Sequence, residues 1–185
     1  MTSLSKKTLD DITDEVKEFH PLLETLLPKL PHVIRVEYTH GINEFGADFV
    51  ISKSDDIFGD EYYIGVIAKV AKITQDFSDI ERQIDECSLA RTFMGGKRKI
   101  NLEEVWVITT KSISNNAQTK IHEKYKLHKI FFIDGIRLAT LIDQYVPSYW
   151  TKLPIKLAEY LVTIKTRNEE IDRTVSLIPI KDKSY

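Results

Sequence analysis

Gly46-Ala47-Asp48-Phe49-Val50-Ile51 and Gly65-Val66-Ile67-Ala68-Lys69 are the two stretches that decide how this chain folds. Both are rich in β-branched and aromatic residues, the composition of a strand. The segment between them carries Ser54-Asp55-Asp56 and Gly59-Asp60, which is turn chemistry, so the pair reads as a hairpin. A hairpin sets Asp48 beside Lys69 although they lie far apart in sequence. A carboxylate can hold a divalent cation. An ammonium next to it can orient an attacking water or stabilise charge developing on a phosphate. Each residue also has a plainer reading. Asp48 could simply end a turn, and Lys69 could sit on an edge strand and snorkel outward. A lysine inside an otherwise apolar, buried strand is costly unless it is paired or functional.

Outward from the hairpin, the chain alternates. Leu9, Ile12, Val16 and Phe19 recur at three- and four-residue spacing, which predicts a helix over 8–19 capped by Thr8. Pro21, Pro28 and Pro31 punctuate a short apolar stretch, a second helix over 22–30. Strands are expected over 33–38, 47–52 and 62–73. A helix over 76–94 would carry Phe77, Ile80, Ile84 and Cys87 on one face and end at Gly95-Gly96. A strand over 105–109, a helix over 115–125, a strand over 129–133 and a helix over 136–145 complete the pattern. That spacing favours parallel strands joined by right-handed crossovers. The fold class is therefore α/β, a sandwich around a mixed central sheet. The expected domains are an N-terminal helical segment over 1–31, a core over 32–150, and a C-terminal helix and linker over 151–185. The abrupt ending suggests a continuation into a longer protein.

Asp48 followed by a strand ending in x-x-Lys69 resembles the PD-(D/E)xK nuclease superfamily, the restriction-endonuclease-like fold. The downstream order narrows this to the Mrr-like branch. Glu104-Val105-Trp106-Val107-Ile108-Thr109-Thr110 is a strand ending in Thr-Thr, and Ser114-Asn115-Asn116-Ala117 opens a helix. Lys129-Ile130-Phe131-Phe132-Ile133-Asp134-Gly135 then precedes a terminal helix containing Leu138. The resemblance covers roughly residues 32 to 146. It implies Mg²⁺ or Mn²⁺ as cofactor, phosphodiester hydrolysis as reaction and double-stranded DNA as substrate. The chain departs from the family at one position, because Ile67 stands where a Glu, Asp or Gln usually precedes the lysine by two residues. Mg²⁺ keeps several waters, so few protein carboxylates can suffice.

A substitute oxygen must then come from elsewhere. Glu44, in the loop before Asp48, and Gln83 or Glu86, on the helix after the lysine strand, are the candidates. The expected catalytic set is Asp48, Lys69, Glu44 and Gln83, with Asp48 and Glu44 as metal ligands. Lys72, Arg91, Lys97, Arg98 and Lys99 are the expected nucleic-acid contacts. The basic residues could equally be a solvated surface, and Gln83 a surface amide. His20, His32, His40, His122 and His128 show no metal-ligand spacing. Cys87 is the single cysteine, which excludes a disulfide framework and a thiolate zinc cluster, and its place on an apolar stripe suits a core residue.

The formal net charge of −2 argues against a strongly basic nucleic-acid binder, so DNA affinity must be local. No apolar run is long enough to span a membrane, and a cytoplasmic location is expected. Two functions compete. One is a Mg²⁺-dependent endonuclease serving antiviral or restriction defence, a homo-oligomer activated by clustering. The other is a catalytically inactive module of the same fold that binds nucleic acid or mediates protein assembly, for which the acid lost at Ile67 is the argument.

Overall fold

The computed structural model describes residues 9–39, 45–55, 57–74, 76–126 and 129–150. Glu44, Thr8, His40, His128 and the helix expected over 155–174 lie outside the described residues. A compact unit runs from Met1 to Pro147 and a second from Ser148 onward. The strands and helices that position the site belong to the first.

Five strands form the main sheet: β1 (Val33–Tyr38), β2 (Phe49–Ser54), β3 (Glu61–Lys69), β6 (Glu104–Thr109) and β7 (Lys129–Ile133), hydrogen-bonded in that order. The pairs β1–β2 and β2–β3 are antiparallel, and β3–β6 and β6–β7 are parallel. The mixed sheet and the hairpin are thus as expected. β3 is the central strand, so Lys69 is not on an edge.

The three inner strands are buried on both faces, which requires a helical layer on each side. On one face, Ile67, Val105, Val107, Ile130 and Phe132 meet α2 (Ser78–Cys87) and α3 (Asn115–Lys124) through Ile80, Ile84, Ala117 and Ile121. On the other lie α1 (His20–Leu26) and α4 (Gly135–Tyr145), which touch each other, α4 also packing on β6 and β7. Ser114 caps α3 by accepting from Ala117 N–H, and Asp134 caps α4 by accepting from Ile136 and Arg137.

Two expectations fail for local reasons. The helix predicted over 76–94 stops at Cys87. Arg91–Phe93 (β4) and Arg98–Ile100 (β5) form a hairpin instead. Met94, Gly95 and Gly96 all take positive φ at its tip, so the glycines turn a hairpin and do not cap a helix. Phe93 and Ile100 bury themselves on Val50 and Tyr63 of the sheet, a gain that local helix propensity does not include. The helix predicted over 8–19 is broken before Asp14. Asp14 accepts from Val16 and Lys17, Glu18 reaches back to Thr13 and Asp14, and a π-helical turn, Glu15–Phe19, leads into α1. That change of register exposes Val16 (45%) and turns Glu15 inward.

Candidate active site

Asp48 enters β2 through a β-bulge. Phe49 is in register with Val66, yet Asp48 N–H also donates to Val66 O (2.8 Å), so two residues oppose one. A bulge re-aims a side chain. Phe49 packs against His20 of α1, and Asp48 Oδ1 lies 3.8 Å from His20 Nε2. The other carboxylate oxygen, Oδ2, accepts from Ala68 N–H (2.8 Å), which staples the start of β2 to the end of β3. Asp48 is 1% exposed. It is a buried anchor of the sheet as well as a candidate ligand.

Gly46 makes this approach possible. Its φ is +79°, and a Cβ there would stand 2.1 Å from the carbonyl oxygen of Gln83 on α2. Arg91 holds the same segment from the side. Its Nη2 donates to Phe45 O (2.7 Å) and, more weakly, to Glu86 O (3.4 Å), and burial lowers the guanidinium pKa. The expectation that Arg91 presents its charge to nucleic acid therefore fails. At 4% exposure it is a strut between α2 and the loop that delivers Asp48.

Lys69, at the last position of β3, pairs with Glu15 (Nζ to Oε1, 3.3 Å), both side chains being about one-quarter exposed. Glu15, His20 and Asp48 each offer a ligand atom, and these atoms lie within 4.8 Å of one another. Around an ion with oxygen ligands at about 2.1 Å, neighbouring donors stand about 3.0 Å apart and opposite ones about 4.2 Å, so slight inward movement closes the set. The donor set fits a divalent cation. Desolvation pushes the Glu15 carboxyl pKa up. Lys69 opposes this, and the nearby Asp48 charge adds to it. A cation would relieve the repulsion between the two acids.

Glu15 and His20 are not among the residues that the sequence pattern marks for the site. An acid three residues after Ile12 and four before Phe19 is visible in the sequence, but helical periodicity favours Val16 for the inward position. Of the expected residues, the structure brings together Asp48 and Lys69, with Glu15 as the link. Ile67 is fully buried on the α2–α3 face, away from the side on which Asp48 meets His20. Gln83 is buried too, and its Oε1 has no hydrogen-bond partner among the described residues. Glu86 pairs with Arg82 at 2.5 Å on the outer side of α2.

Exposed Lys72 borders two clefts next to the end of β3. One, of about 210 Å³, is shared with Lys69 and Asp76, and the other, of about 450 Å³, with Lys111 and Thr110. Lys97, Arg98 and Lys99 are exposed on the β4–β5 hairpin. Arg98 is held by Glu61 and stacks over Tyr63, at 5.3 Å from the ring centre. Tyr63 is about 20 Å up β3 from Lys69 at strand rise, so this trio is remote from the acids.

The structure thus sets an acid and a lysine at the ends of adjacent central strands of a mixed sheet, with a second acid, Glu15, between them. The chain belongs to the Mrr-type restriction endonuclease family: the model of its catalytic domain, described as restriction endonuclease, matches residues 14–142. The fold is similar to that of the DNA modification-dependent restriction endonuclease AspBHI (TM-score 0.54, 13% identity over 90% of this chain and 41% of that one). It also matches the MspJI restriction endonuclease in complex with a 27-mer oligonucleotide (TM-score 0.45, 18% identity, 75% of this chain and 30% of that one). The chain thus spans less than half of either structure's own length. No curated protein matches it significantly. Among the described residues no helix is long and apolar enough to cross a membrane.

Proposed function

We propose that the chain is a metal-dependent endonuclease that hydrolyses phosphodiester bonds in double-stranded DNA. The observation that carries this is the convergence of Glu15, Asp48 and Lys69 from three separate parts of the chain. Glu15 supplies the carboxylate that Ile67 lacks. Asp48 and Glu15 would hold Mg²⁺ or Mn²⁺, which contributes charge neutralisation on the phosphate and a more acidic water. Lys69, positioned by Glu15, orients the nucleophilic water and donates to the phosphoryl oxygen on which charge develops. Gln83 is assigned a positioning role beside Gly46, where its amide oxygen is available to a water or a ligand. Glu44 is a further acid, two residues before Gly46 in the sequence. Lys72 and Lys111 track the DNA backbone past the end of β3, with Lys97 and Lys99 as outlying phosphate contacts.

A net charge of −2 supports weak binding by one copy, and therefore activity that emerges when several copies cluster on DNA, as a restriction or antiviral effector would use. The test is plasmid cleavage with Mg²⁺ or Mn²⁺, free and tethered, by the wild type, Asp48→Asn, Glu15→Gln and Lys69→Met. Each variant should lose cleavage by at least about a hundredfold, in line with removal of one group stabilising transition-state charge. Undiminished cutting by folded Asp48→Asn overturns the assignment.

The buried Ile67 favours a second reading, a non-catalytic module that binds DNA. Shifted DNA mobility with no cleavage in any metal, free or tethered, would select it.

A further inference from the structure

His20, beside the two acids, has no part in the nuclease chemistry proposed for Glu15, Asp48 and Lys69. Granted that nuclease site, we infer that His20 is a third metal ligand, entering through Nε2, so that the centre is a Glu/His/Asp site. Such a site takes a first-row transition ion such as Mn²⁺ in preference to Mg²⁺.

The backbone is arranged for it. Glu15 and His20 are five residues apart, which in an α-helix would point them about 140° away from each other. The π-helical turn, with more residues per turn, reduces that divergence. His20 N–H donates to Glu15 O across five residues, so the two residues stack. Pro21 at the start of α1 makes no demand on an N–H donor at that point.

The ring is equally constrained. His20 is 1% exposed and stands edge-on to Tyr38 and Phe49, at 5.4 Å from each. Its Nδ1 lies 3.0 Å from Tyr38 Oη, and Nε2 faces Asp48 Oδ1 at 3.8 Å, with Glu15 in the same cluster. A ligating imidazole with its second nitrogen held by a hydrogen bond has its tautomer and orientation set in advance. When Tyr38 Oη accepts from Nδ1–H, Nε2 carries the lone pair and is the nitrogen able to ligate, 3.8 Å from Asp48 Oδ1. An imidazole nitrogen adds affinity for transition ions, whereas Mg²⁺ gains from oxygen donors. The mixed donor set therefore shifts selectivity and does not merely fill a coordination position.

The experiment is pulsed EPR of Mn²⁺ bound to the full chain, grown with natural-abundance or ¹⁵N-histidine, alongside calorimetric titration with Mn²⁺ and with Mg²⁺. The expected result is nitrogen modulation that changes isotope with the label, and Mn²⁺ bound at least about tenfold more tightly than Mg²⁺. His20→Phe keeps the ring packing and should remove both the modulation and the preference. If that variant fails to fold, the labelled wild type compared with Asp48→Asn still decides. Mn²⁺ bound in an Asp48-dependent way without nitrogen modulation overturns the inference and leaves the nuclease reading standing. Modulation that survives in folded His20→Phe also overturns it. Mn²⁺ binding that is absent, or indifferent to Asp48→Asn, overturns both.

Discussion

Ile67→Glu restores the acid that the family pattern expects, and the structure makes its outcome quantitative. Ile67 is fully buried among Ala47, Ile84, Val105 and Val107. Removing it forfeits the burial of a large aliphatic side chain, about 1.5–3 kcal/mol. The introduced carboxyl must then stay neutral or be buried as a charge. Holding a group of ordinary pKa near 4.3 protonated at pH 7.5 costs up to about 4 kcal/mol, at 1.36 kcal/mol per unit. The sum reaches about 5.5–7 kcal/mol, comparable to the whole stability of a typical domain, about 5–15 kcal/mol. The sign with pH comes from linkage. A carboxyl whose folded pKa is raised contributes stability below its unfolded pKa, and that contribution is lost as pH rises through the folded value. Urea melts in EDTA should therefore find the variant strongly destabilised at pH 7.5, with part of the loss recovered at pH 5. Mn²⁺ should not rescue it, because in the proposed site the carboxylate comes from Glu15. A variant within about 1 kcal/mol of wild type at pH 7.5 without metal, a minor change by mutational standards, would refute the packing argument. Raised metal affinity in that variant would mean a site depleted of a ligand, not one rebuilt around Glu15.

Three other outcomes depend on named contacts. Glu15→Gln should leave the metal-free protein at least as stable as wild type at pH 7.5. The raised carboxyl pKa means wild type loses stability as pH climbs from the ordinary 4.5 through the folded value, so the gap should close below pH 4.5; a less stable variant at pH 7.5 contradicts this. Gly46→Ala puts a Cβ 2.1 Å from the Gln83 carbonyl at φ +79°, and should cost more than the roughly 1–2 kcal/mol of left-handed strain alone, measured by denaturant titration. The Cys87 thiol, pushed up to about 11 chiefly by burial, should resist a disulfide reagent at pH 8 until urea unfolds the chain; fast reaction of the native protein would refute its burial.

The five strands of the main sheet, the β2–β3 hairpin, the helices α3 and α4, and the placing of Asp48 and Lys69 at the ends of adjacent strands are legible in the sequence. They rest on local signals: β-branched runs, turn residues, caps and helical periodicity. Where local and tertiary signals disagree, a reading of the sequence alone takes the local one. The stretch Arg91–Phe93 reads as helix until Phe93 finds Val50 and Tyr63 across the fold. Glu15 and His20 cannot be placed by pattern, because a π turn shifts their register and only the docking of α1 on the sheet carries them to Asp48. Sequence alone determined which residues carry charge and which strands they end. The tertiary structure decided where the second acid comes from, since a carboxylate close to Asp48 can be supplied by any segment that packing brings there, however distant in the chain.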